Sequence, residues 1–242
     1  MTQLFLGLIL LTASLAIRAD EATIAVAANF TAPMQRIASD FERASGHRLK
    51  LSFGGTGKLY AQIANGAPFD VLLSADDETP ARLEKEGLGV AGSRFTYATG
   101  RLVLWSPVDG RVDGEGKVLR DQGIRHIAIA NPKTAPYGTA AMATLDHLKI
   151  DPKQYRLLTG TNIGQTWQFV DTGNAELGFV AWANLVEAGK TGEAWAVPAD
   201  FYPPIEQQGL VLKKGAAVEA LVAWLKGPGQ AEIKAAGYAL PH

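Results

Sequence analysis

Four short loops of small or polar residues each follow a β-rich run and open a helical run: Ala27-Ala28-Asn29-Phe30-Thr31, Gly54-Gly55-Thr56-Gly57, Pro136-Tyr137-Gly138-Thr139 and Asn162-Ile163-Gly164. A helix N-terminus leaves several backbone N–H groups unpaired and carries a partial positive charge. Several such ends aimed at one point hold an oxyanion without any lysine or arginine. Residues for turnover are sparse. The chain has no cysteine, which excludes thiolate nucleophiles and thiolate metal sites. His47, His126, His147 and His242 show no H-x-x-x-H or H-E-x-x-H spacing, so zinc hydrolysis has no support. No G-x-S-x-G elbow occurs either. These features read as a receptor for a small anion.

Taken singly, the loops are less specific. Gly54-Gly55-Thr56-Gly57-Lys58 departs from the phosphate-loop pattern G-x-x-x-x-G-K-[ST]: Ser52 holds its first position and Leu59 stands where the Mg²⁺-binding hydroxyl belongs. Gly55 to Gly57 can let backbone N–H groups approach an anion, with Thr56 adding its hydroxyl; the alternative is a tight strand-to-helix turn. Asn29 and Thr31 are ordinary N-cap residues, and capping is compatible with an anion site because both use the same orphan donors. Pro136-Tyr137-Gly138 can present the N–H of Tyr137, or form a rigid turn with a packed aromatic. Asn162-Ile163-Gly164 can be a plain helix start. Asp70, Asp76 and Asp77 suggest a cation or carboxylate pair less well than a cap before Thr79-Pro80. The five tryptophans form no stripe and read as packing.

The elements that position these loops follow from periodicity. Ala22–Ala27, His47–Phe53, Phe69–Ala75, Ile124–Ala130, Leu177–Ala181 and Ile205–Leu212 are expected as strands, with an extended run at Thr96–Ser106. Helices are expected from Thr31 or Ala32 to Ala44, Lys58 to Asn65, Thr79 to Glu86, Tyr137 to Leu148, Ile163 or Gly164 to Thr172, Val218 to Lys226 and Gly229 to Ala236. Gly46 stops the first of them. Strands alternating with helices imply an α/β fold with largely parallel sheets, whose ligands sit beyond the carboxyl ends of strands.

Composition sets the outer bounds. The 242 residues, 47% of them hydrophobic, suffice for one or two packed domains. A formal net charge of −1 and the absence of a basic run exclude nucleic acid as a partner. Leu4 to Ile17 is an almost unbroken apolar run of signal-peptide length, short for a membrane span, with small residues offering cleavage after Ala16 or Ala19. No Lys or Arg precedes it, so the alternative is an uncleaved anchor or a mis-assigned start. Export to the periplasm suits a chain without cysteines.

The ordered runs IAVAANFTAPMQRIASDFE, SFGGTGKLYAQIANGAPFDVLLSADD, IANPKTAPYGTAA, GNAELGFVA and LKGPGQAEIKAAGY together resemble the periplasmic molybdate-binding proteins of ABC importers, which are type II periplasmic binding proteins. The resemblance extends from about Ala22 to Tyr238. It implies two lobes, each a mostly parallel sheet flanked by helices, joined by two hinge strands with one tetrahedral oxyanion in the cleft. The lobes would span 20–98 with 204–242, and 99–203, after a signal peptide at 1–19. Carried over, the oxyanion ligands are Ala28, Asn29, Gly55, Thr56, Tyr137 (chiefly its N–H) and Ile163 (its N–H). Molybdenum would be bound only as the oxyanion, with no direct protein ligand, no cofactor and no catalytic residue. Some members place a tyrosine donor where this chain has Ala181, so Asn29 or the Tyr137 hydroxyl would compensate. Implied partners are molybdate or tungstate, and an inner-membrane permease with its cytoplasmic ATPase; the chain would act as a monomer.

Neutral donors suit such a ligand. Molybdate and tungstate are fully deprotonated near neutral pH and only accept hydrogen bonds. Monohydrogen phosphate carries a proton that would lack an acceptor, at a cost of about 1–3 kcal/mol. Sulfate is donor-compatible but smaller. A receptor for sulfate or chromate, and a phosphate-loop enzyme requiring Mg²⁺, are the competing readings.

Overall fold

The computed structural model describes residues 19–241; the expected signal segment up to residue 18 lies outside them. From the N-terminus run β1 (Glu21–Ala27), a 3₁₀ turn at Ala28–Phe30, α1 (Thr31–Ser45), β2 (Arg48–Gly54), α2 (Thr56–Ala64), β3 (Val71–Leu73), α3 (Glu78–Lys85) and β4 (Phe95–Gly100). The second stretch holds β5 (Leu102–Trp105), β6 (His126–Ala130), α4 (Pro136–His147), β7 (Arg156–Gly160), α5 (Ile163–Asp171), β8 (Leu177–Ala181), α6 (Trp182–Ala188) and β9 (Ala194–Ala196). β10 (Ile205–Val211), α7 (Ala216–Lys226) and α8 (Gln230–Ala235) complete the chain.

These elements form two five-stranded sheets, ordered β2-β1-β3-β10-β4 and β7-β6-β8-β5-β9. In each sheet one strand runs against the other four: β10 is antiparallel to β3 and β4, and β5 is antiparallel to β8 and β9. The extended run expected at Thr96–Ser106 is therefore two strands in different sheets, with the crossing at Arg101. The return crossing lies between β9 and β10 and contains Pro203-Pro204, which cannot supply ladder N–H donors.

Parallel strands covered on both faces read as continuous apolar runs. On one face of the first sheet, Ile24, Val26, Val71 and Leu73 pack with Met34, Ile37 and Phe41 of α1; on the other, Ala25 and Leu72 meet Leu59 of α2 and Leu83 of α3. The fully buried Phe41 and Ile37 each contribute about 1.5–3 kcal/mol of apolar burial. The second sheet repeats the arrangement: Ile127, Ile129 and Phe179 pack with Leu145 of α4, and Ala128 and Val180 pack with Val170 of α5. Helix α1 ends at Gly46, whose φ of 76° places it in the left-handed region while its N–H donates to Glu42 O.

Three elements escape the periodicity argument. β7 is a half-exposed edge strand, β9 has three residues, and α6 follows β8 without a turn. Capping differs as well. Neither Asn29 nor Thr31 caps α1; the Thr31 hydroxyl donates to Ala28 O instead. Before α3 the N-cap Asp77 makes no side-chain bond, and Asp76 one residue earlier accepts from the N–H and hydroxyl of Thr79, whereas Asp70 accepts from the N–H of Thr23 on β1. Among the described residues no helix is long and apolar enough to cross a membrane.

Candidate functional site

The carboxyl ends of paired strands lie level, Ala27 beside Gly54 and Ala130 beside Gly160. The backbone beyond each pair therefore emerges together. From the first sheet come the 3₁₀ turn at Ala28 and the start of α2 at Thr56; from the second come the starts of α4 and α5. Ala28, Asn29, Gly55, Thr56, Tyr137 and Ile163 line one recess, completed by Ala75, Ala135, Pro136 and Asn162. Its cavity volume is small, about 10 Å³. None of the ten residues is charged.

Donor geometry differs from loop to loop. The Thr56 hydroxyl is buried and accepts the N–H of Ala75 at 3.3 Å, leaving its own proton free to be donated into the recess. Thr56 and Ile163 are the first residues of their helices and Tyr137 the second of its helix, so their N–H groups have no intrahelical acceptor. Among the described residues none of the three has another protein acceptor. Pro136 opens α4 without withdrawing a useful donor, and Asn162 caps α5 by accepting from the N–H of Gln165 at 2.9 Å.

Two expected donors are engaged elsewhere. The Gly57 N–H donates across the cleft to Thr134 O at 3.0 Å, so it closes one sheet unit against the other rather than facing the recess. The Asn29 side-chain amide donates to Gln207 Oε1 at 2.9 Å and to the Tyr238 hydroxyl at 3.0 Å, using both hydrogens. The Tyr137 hydroxyl lies 3.4 Å from Gln207 Nε2 as its acceptor. The Asn29 amide therefore does not stand free to replace a donor at Ala181, which is outside the recess lining, whereas the Tyr137 hydroxyl accepts and keeps its own proton. Burial first, and neighbouring tyrosines second, push the Tyr137 phenol far above its usual range, and burial does the same to Tyr97. Both remain neutral hydroxyls.

A larger cavity of about 540 Å³ shares Thr56, Ala135 and Pro136 with the recess and carries charge of both signs, including Asp76, Asp77, Arg82 and Lys133. Among the described residues no three His, Cys, Asp or Glu side chains cluster to hold a metal.

The bacterial extracellular solute-binding protein family model matches residues 22–239. The chain belongs to this family. As a solute-binding protein it is a receptor, not an enzyme. It is 55% identical over 232 residues to the molybdate-binding protein ModA of Azotobacter vinelandii, covering 93% of this chain and 92% of that protein. With the molybdate-binding protein ModA of Rhodobacter capsulatus it shares 46% identity over 220 residues, 89% of this chain and 86% of the relative. The solved structure of the Azotobacter vinelandii periplasmic molybdate-binding protein superposes with a TM-score of 0.86 at 43% identity, over 91% of this chain and all of the other. The two-lobed fold of this solute-binding protein is the one expected from its sequence.

Proposed function

We propose that this solute-binding protein captures molybdate, and tungstate as well, as the intact dianion in the recess between its sheets. It then delivers the anion to an ABC permease driven by a cytoplasmic ATPase. The observation that carries the reading is the recess itself: ten uncharged residues, nine from four helix-start loops and Ala75 from beyond β3, with the Thr56 hydroxyl oriented by Ala75 N–H. A ligand that only accepts hydrogen bonds fits such donors, and the relatives named for molybdate support the same ligand.

In this reading the ligands are Ala28, Asn29, Gly55, Thr56, Tyr137 and Ile163, with Asn29 contributing backbone rather than its engaged side-chain amide. The site needs no cofactor. Residues 20–98 with 204–242 form one lobe, to which Thr99 and Gly100 at the end of β4 also belong, and the rest of 99–203 forms the other, after removal of a signal peptide at 1–19, and the protein works as a periplasmic monomer. Donors from both lobes favour the closed state when the anion joins them. α6 lies within the second span, yet Ala183 packs into the first lobe's core and Glu187 pairs with Arg36 of α1 at 2.8 Å.

Calorimetric titration of residues 20–242 with molybdate, tungstate, sulfate and phosphate tests the proposal. Tight one-to-one binding of the first two, unaffected by EDTA, is the expected result. A preference for sulfate or phosphate would overturn the ligand and the donor-only argument.

A further inference from the structure

Gln207 lies on β10, distant along the chain from the four loops described above, and is fully buried. Its amide is shared among three groups. Oε1 accepts the Asn29 amide at 2.9 Å and lies 3.1 Å from the Tyr97 hydroxyl, whose single proton is shared with Ser74 O at 2.9 Å, all on the first sheet's side. Nε2 donates to the Tyr137 hydroxyl at 3.4 Å, and Tyr137 belongs to α4 of the second sheet's side. Asn29 is fixed from behind too, since the Tyr238 hydroxyl accepts from its amide and donates to its backbone carbonyl at 2.7 Å.

The crossing strand makes this approach possible. Gly100, the last residue of β4, pairs with Ile205 of β10. A Cβ at Gly100 would lie 2.3 Å from the Tyr137 hydroxyl and 2.9 Å from Gln207 Nε2, a separation no side chain tolerates. The Tyr137 ring thus reaches under the crossing only because residue 100 is glycine.

We propose that Gln207 is a positioning residue that ties the Asn29 loop of one lobe to the Tyr137 helix start of the other, holding two walls of the recess in register when the lobes are closed. The proposal rests on the molybdate reading above. Gln207 does not line the recess, so it acts through Asn29 and Tyr137. The bond to Tyr137 joins the two sides and exists only in the closed arrangement, whereas the bonds to Asn29 and Tyr97 persist within one side. Loss of the cross-lobe bond therefore speeds ligand release and leaves capture by the open form unchanged.

The experiment measures release of labelled molybdate into excess unlabelled molybdate, together with the association rate, for four proteins: wild type, Tyr137→Phe, Gln207→Met and the double variant. Tyr137→Phe removes one hydroxyl and is expected to raise the release rate about 2- to 10-fold with association within about twofold of wild type. Gln207→Met is expected to raise it further. Because both changes delete one shared bond, the double variant should release no faster than Gln207→Met alone. Unchanged release from Tyr137→Phe, or single effects that multiply in the double variant, overturns the positioning role while leaving molybdate binding intact. If Gln207→Met fails to fold, the Tyr137→Phe rates decide the matter alone. Failure of the wild type to bind molybdate withdraws the functional reading and this inference with it.

Discussion

Gly57→Ala separates lobe closure from folding, because the two respond with opposite signs. In the closed structure a Cβ at residue 57 would lie 2.9 Å from Thr134 Cβ, 3.1 Å from Thr134 Cα and 3.2 Å from Thr134 Cγ2. Comfortable carbon contacts begin near 3.5 Å. Thr134 Cα and Cβ cannot rotate away, and the 3.0 Å bond from Gly57 N–H to Thr134 O holds the two backbones together. Overpacking of this kind costs about 1–3 kcal/mol, which acts on the closed state alone and corresponds to roughly 5- to 150-fold weaker molybdate binding. With the lobes apart, as the proposed open form has them, that contact would be absent. There residue 57 is the second residue of α2, where alanine is favoured over glycine by up to about 1 kcal/mol. Calorimetry should therefore show weakened binding, while thermal unfolding without ligand occurs at the same temperature as wild type or up to about 4 °C higher. Binding equal to wild type would refute the closure contact. Loss of ligand-free stability in step with affinity would show that the glycine serves the fold instead.

Thr56→Ala should remove a charge-assisted hydrogen bond and weaken molybdate binding about 10- to 100-fold, with Thr56→Ser nearly restoring it; equal affinity in all three proteins would remove the hydroxyl from the site. Gly138→Ala should behave unlike Gly57→Ala, since its Cβ would sit 2.2 Å from Ala130 O within one lobe, and ligand-free stability should fall by at least about 1–3 kcal/mol in denaturant titration. Burial holds the Asp76 carboxyl above its usual range despite bonds from Ser74 and Thr79. The folded protein then binds that proton more readily than the unfolded chain, so this contribution to stability is complete below the ordinary carboxylate pKa and is lost as pH rises through the raised one. Asp76→Asn should abolish that slope, and parallel stability curves for the two proteins between about pH 3 and pH 7 would contradict the assignment.

Much of the fold is legible because its signals are local. ATIAVA at 22–27 and FDVLLSA at 69–75 are apolar without alternation, as strands covered on both faces must be. Gly46 and Pro136 mark a helix end and a helix start by their backbone chemistry alone. What failed was also physical. RLLTG at 156–160 lies at a sheet edge and carries no clean period, and the Asn29 side chain, a competent cap by type, is drawn away by partners 178 and 209 positions distant.

The sequence by itself determined the four strand–loop–helix units, their small residues and the absence of charge at their helix starts, because each depends on neighbours within a few positions. Only the tertiary structure decided that the four starts face one recess, that Gly57 touches Thr134 rather than a ligand, and that Gln207 stands between Asn29 and Tyr137. Those relations arise where the chain crosses between sheets at Arg101 and returns before Ile205. A crossing joins residues by geometry across the whole chain, and no local period records it.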